Sequence, residues 1–208
     1  MFAVIFEVQP KSDRWEQYLD LAGLLRPELV QIRGFLENER FRSRRTEGRV
    51  LSLSIWADEK AVIRWRTHAR HHGVQEKGRF EVFEDYHLRV GEITADSHMP
   101  PGETLEQQRL DPTEVGVAKL VSLCEGDAPT LADAPTAGAV DSELFESITS
   151  AGKLLRLIAW RDAAMADAWQ PPPWIRHRRV RVIRDYGMAD RREAPQFYPD
   201  VARSLGGG

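Results

Sequence analysis

The sequence predicts an α+β protein made of two β-α-β-β-α-β units, and three observations carry that expectation. Short apolar runs alternate with amphipathic helical segments through residues 1–93. "VLSLSIW" sets Leu51, Leu53 and Ile55 against Ser52 and Ser54, the period of a half-buried strand. "GRVLSLSIWADEKAVIRW" (Gly48 to Trp65) then recurs without gaps as "GKLLRLIAWRDAAMADAW" (Gly152 to Trp169), with the glycine, two leucines, both tryptophans and the aspartate coinciding. "VFEDY" (Val82 to Tyr86) matches "VIRDY" (Val182 to Tyr186), with four residues fewer between in the second copy. The order of elements is the ferredoxin-like pattern.

Taken in order, "FAVIFEV" is a buried strand closed by Gln9-Pro10. Ser12 and Asp13 offer N-caps, with Glu16 placed for a capping box from Asp13. Trp15, Tyr18, Leu19, Ala22 and Leu25 form one face of a helix that Pro27 kinks or ends. "GFLENERFRS" is a polar-edged strand, "RTEGR" a turn, and Asp58 caps a second helix running on through "WRTHARHHGVQEKGR". "FEVFEDYHLRVGEI" completes the unit as a long strand. "VGVAKLVSL" opens the second unit. The expected domains are 1–93, a polar linker 94–113, a degenerate second unit 114–203 and a frayed tail 204–208. "EGDAPTLADAPTAGA" reads as a mobile loop.

Composition narrows the function. A net charge of −3 gives no general pull toward nucleic acid or an acidic membrane. The single cysteine, Cys124, has no internal partner and reads as a small core residue of a cytoplasmic protein. Neither a signal peptide nor a bilayer span is evident. The basic run Arg176 to Arg184 reads as a solvated edge strand that resists pairing, in preference to a nucleic-acid ribbon.

On a continuous helix Trp65, His68, His72, Gln75 and Arg79 share a broad face, with His71 beside His68 and Gln75. Such a face can line a pocket, with an imidazole for proton transfer and Arg79 for an anionic oxygen. The alternative is a solvated face on which Arg79 pairs with Glu76. Tyr86 is either a core aromatic or a pocket residue. Three prolines after Trp169 forbid the same helix in the second unit, so an active site is expected only once.

"GFLENERF" and the stretch from Leu51 to Val90 resemble the antibiotic biosynthesis monooxygenase (ABM) family, over about Phe2 to Ile93. The resemblance implies a dimeric α+β barrel, here two units of one chain packed sheet to sheet as an internal pseudo-dimer, with homodimers also possible. It implies a monooxygenase that oxidises a small aromatic or quinol-type molecule with dioxygen and no cofactor. His68 is then the base, Gln75 and Arg79 stabilise the anion, and Trp65, His71 and Tyr86 bind substrate. No metal is expected. Haem is an alternative that some relatives imply, though strand one lacks the asparagine of haem-degrading members. A non-catalytic ligand-binding or stress-related module is the other.

Overall fold

The computed structural model describes residues 1–99, 102, 104–126, 131 and 137–195. The tail beyond Pro195, and much of the segment expected to be a mobile loop, lie outside the described residues. The elements are β1 (Phe2–Pro10), α1 (Trp15–Leu29), β2 (Phe35–Ser43), β3 (Val50–Trp56), α2 (Glu59–Arg66), α3 (Ala69–Lys77) and a π-helical turn (Gly78–Val82). They continue with β4 (Phe83–Asp96), β5 (Leu120–Gly126), β6 (Ala139–Ser147), β7 (Leu154–Trp160), α4 (Ala163–Asp167) and β8 (Arg176–Gly187).

The strands close into one barrel in the order β1-β3-β2-β6-β7-β5-β8-β4. Both halves therefore run in the same internal order, β4-β1-β3-β2 and β8-β5-β7-β6. Equivalent rows follow from register: Phe2 lies between Trp56 and Glu92, and Leu120 lies between Trp160 and Arg181. The halves meet edge to edge, not merely face to face, because β2 hydrogen-bonds to β6 and β4 to β8. At the longer seam a Cβ on Gly91 would sit 2.4 Å from Val180 and 2.5 Å from the Arg181 carbonyl oxygen. Glycine there lets two backbones approach closely.

Inward-facing residues fill the barrel. Ile5, Phe41, Leu53 and Ile93 from the first half pack with Leu123, Phe145, Leu157 and Val180 from the second. The alternation read from β3 places Leu51, Leu53 and Ile55 in this core and leaves Ser52 and Ser54 on the outer face.

Local chemistry repeats. Gly48 and Gly152 both take positive φ, at 75° and 78°. Trp56 and Trp160 are both buried, their indole N–H groups donating to Ser54 and Ser122 at 2.9 and 3.0 Å. Asp58 caps α2 by accepting from the Ala61 amide, as Asp162 caps α4 by accepting from Met165. Cys124 is buried, and burial pushes its thiol up to about 12.

Several expectations are corrected. Neither Ser12 nor Asp13 caps α1; the N-cap is Arg14, without a side-chain bond, and Asp13 pairs with Arg14. Pro27 does not end α1, which continues to Leu29. The match of Val82–Tyr86 with Val182–Tyr186 is not a structural equivalence. By register Tyr86 (opposite Val8) corresponds to Ile175, and Tyr186 pairs with Leu88 across the seam. The basic strand β8 is not an edge. It is paired on both sides, with Arg178 buried against Asp96, Glu125 and Glu37. Closure removes the edge, and carboxylates neutralise the arginines. Part of the expected linker is tied down, since buried Glu92 accepts from the Gln108 and Arg109 amides. No helix among the described residues is long and apolar enough to cross a membrane.

Candidate active site

The helices of the first half do not lie flush on the sheet. Between them and the outer face of β2, β3, β1, β4 and β8 is a cavity of about 210 Å³. A cavity of about 150 Å³ holds one benzene-sized ring, so this space suits a small organic molecule.

Its shape depends on a break in the predicted helix. Thr67 ends α2, its hydroxyl donating to the Ile63 carbonyl at 2.9 Å, and His68 has an extended backbone with ψ 125°. The non-helical residue rephases everything after it. His68 is consequently not on the cavity wall; as the N-cap of α3 it puts Nδ1 3.3 Å from Glu28. His72 is exposed. His71 turns inward instead, with Trp65, Gln75, Arg79 and Tyr86. Five of the six expected site residues thus meet at one cavity, and His68 does not.

His71 stacks on Trp65 with ring centroids 4.1 Å apart and planes 14° from parallel. Its Nδ1 lies 2.9 Å from the Trp65 carbonyl oxygen, which can only accept. Nδ1 therefore carries the hydrogen, and Nε2 keeps a lone pair. Burial pushes the imidazole down to about 4, which keeps it neutral. A neutral ring with a fixed tautomer presents Nε2 as the acceptor, while the same burial makes it a weaker base than a free imidazole.

Arg79, almost fully buried on the π-helical turn, donates from Nη1 to the Tyr86 hydroxyl at 3.1 Å. Arg191 donates to the same oxygen at 2.5 Å. Arg184 and Tyr186 enter from β8, so the second half completes the wall of the first. Burial, with Tyr86 adding to it, pushes Tyr186 up to about 12. Burial also lowers the Arg66 pKa, with Arg184 contributing. Among the described residues, five arginines (Arg40, Arg66, Arg79, Arg184 and Arg191) line the cavity against one carboxylate, Glu59. Arg109 grips Glu59 with contacts of 3.0 and 3.2 Å. The site is electropositive and otherwise largely apolar, suited to an anion on an apolar body.

Sequence reasoning missed Tyr18, Arg40, Arg66, Arg184, Tyr186 and Arg191. Strand alternation signals Arg40, since Phe41 faces the core. Nothing local signals the β8 residues, which arrive through the β4–β8 seam.

Among the described residues no group of three metal-ligating side chains comes together. His71 is the one histidine among the described residues of the wall, and the Gln75 amide nitrogen lies 3.5 Å from each of its ring nitrogens.

Comparisons place this geometry among known proteins. Residues 1–77 match the model of the antibiotic biosynthesis monooxygenase family. The chain is 42% identical to "Jasmonate monooxygenase ABM" of Pyricularia oryzae, over 97% of this chain and 100% of that one. It is 33% identical to "Uncharacterized protein YqjZ" of Bacillus subtilis, over 44% of this chain and 78% of that one. Among solved structures it is similar in fold to aldoxime dehydratase OxdRE, with TM-score 0.56 and 11% identity over 88% of this chain and 79% of that one. The chain belongs to the antibiotic biosynthesis monooxygenase family.

Proposed function

We propose that this chain is a monooxygenase working in a single site, the cavity of its first half, and that it needs no cofactor. The observation that carries this reading is a neutral His71 imidazole with a fixed tautomer, in a part-apolar cavity whose rim is cationic. His71 Nε2 removes a proton from an acidic C–H or O–H of a small aromatic or quinol-type substrate. The arginine guanidinium groups and the tyrosine hydroxyls stabilise the resulting anion, which reduces dioxygen. For an activated methylene the balance is CH₂ plus O₂ giving C=O plus H₂O, so no external reductant enters. Gln75 positions the His71 ring, and Trp65 backs it.

A second reading concerns the substrate alone. The name of the Pyricularia oryzae relative indicates jasmonate, an organic acid, and the arginines of the cavity suit a carboxylate. The matching strand order, the paired Gly48/Gly152 turns and the paired Asp58/Asp162 caps support a tandem origin. On that view residues 1–93 and 114–203 are two ABM-like units forming an internal pseudo-dimer, of which the second has lost its site.

The test is oxygen uptake with anthrone-type, quinol and jasmonate substrates, using metal-free protein. His71→Ala is expected to lower the rate by about 10²-fold or more, while His68→Ala leaves it within a few-fold. Equal rates in His71→Ala and the parent, or uptake that requires added metal or haem, would contradict the proposal.

A further inference from the structure

The cavity floor has two polar poles. Strand register places Asn38, Ser54, Val4, Val90 and Arg184 in one row across the outer face. The next row is Arg40, Ser52, Phe6, Leu88 and Tyr186. Both rows read polar, then apolar, then polar. Strands are about 4.8 Å apart, so the outermost backbones of a row are at most roughly 19 Å apart. The poles are chemically unlike. At the β8 end Arg184 lies beside Arg66 and Tyr186, a setting for full negative charge. At the β2 end Asn38 donates to Ser52 and to the Leu53 carbonyl, while Arg40 hydrogen-bonds to Tyr18, so a charged guanidinium and a neutral hydroxyl meet there. The apolar centre is closed from above by Leu21, Leu25 and Val62.

We propose that the occupant is a bipolar amphiphile. It carries a carboxylate at the Arg184 end, an apolar body over Val4, Phe6, Leu88 and Val90, and a second, uncharged oxygen group at the Arg40–Tyr18 end. A single-headed acid would leave the second pole buried beneath an apolar tail, its donors stripped of water. A site built to hydrogen-bond an oxygen discriminates against the analogue that lacks it.

This inference rests on the cavity being the substrate site, but it can be tested without oxygen chemistry. Isothermal titration calorimetry under argon compares octanoate, 8-hydroxyoctanoate and 1,8-octanediol on the full chain. The hydroxy acid is expected to bind about tenfold more tightly than octanoate, the effect of one hydrogen bond to a charged donor. Tyr18→Phe and Arg40→Leu should each shrink that preference without weakening octanoate. Arg184→Gln should weaken both acids about tenfold and leave the diol unchanged. The ligand comparison on the parent protein holds even if a variant fails to fold. Octanoate binding as tightly as the hydroxy acid, or no binding by any of the three, would overturn the bipolar occupant. A proper preference with no oxygen uptake on any substrate would uphold it and sink the oxygenase reading alone.

Discussion

The outer faces of the two half-barrels share a framework but differ in what lies on it. In the first half the floor positions Val4, Phe6, Leu88 and Val90 are apolar, and α1, α2 and α3 stand over them around a hollow. By register the same positions in the second half hold Ser122, Cys124, His177 and Arg179. There His177 bonds to Ser122 at 2.9 Å, and Trp169 closes on both Trp160 and His177, with centroids 6.3 and 5.9 Å apart. Trp65 and Trp169 are equally spaced from their strand tryptophans, yet one borders a cavity and the other fills the space above its sheet. Identical scaffolding therefore does not fix function. The first half has a further helix, α3, after its second tryptophan and so has room for a hollow, whereas α4 ends at Asp167 and Pro171 to Pro173 allow no helix between Trp169 and β8.

The strongest challenge to this comparison addresses the shared framework. Trp56→Ala and Trp160→Ala should each cost about 3–5 kcal/mol, read as similar losses in thermal unfolding. A severe loss for one with none for the other would mean that the halves are not equivalent scaffolds. Next comes the functional asymmetry. Trp169→Ala should leave turnover within a few-fold of the parent, against the loss of about 10²-fold expected for His71→Ala. Parallel loss of turnover in both would place catalysis outside the first-half cavity.

Acid stability sharpens the comparison further, because each half buries one neutral imidazole. Burial, with Arg179 adding to it, pushes His177 down to about 4, and burial does the same to His71, from an ordinary 6.5. Above pH 6.5 both rings are neutral whether the chain is folded or not. Between about 6.5 and 4 the unfolded chain takes up protons that the folded chain refuses, so stability falls as pH falls. His71→Gln and His177→Gln should each flatten that part of the denaturation profile, and an unchanged slope in either would show that its imidazole protonates in place. The smallest effects are expected at the caps. Asp58→Ala should cost about 1 kcal/mol, and Asp162→Ala no more, because α4 has only five residues to lose.

Much of this molecule is legible in its sequence, for identifiable reasons. Strand β3 alternates, so its core face can be read directly. The Gly48, Trp56 and Asp58 pattern recurs at Gly152, Trp160 and Asp162 because turns, anchors and caps are local devices. Local periodicity is also where the reading fails. One extended residue, His68, resets the phase of the helix and brings His71, not His68, to the cavity wall. The likeness of "VFEDY" to "VIRDY" misleads because strand register is a nonlocal property. Arg184, Tyr186 and Arg191 reach the cavity through a seam between distant segments, which no spacing in the chain encodes.

The central claim is that one cavity, built by the first half and completed by the second, holds the substrate. Its most direct test is calorimetric stoichiometry with 8-hydroxyoctanoate on the parent and on Tyr186→Phe combined with Arg184→Gln. The account predicts one molecule bound per chain, with affinity reduced at least tenfold in the double variant and the fold intact. Two molecules per chain, or an affinity indifferent to these two residues, would contradict it.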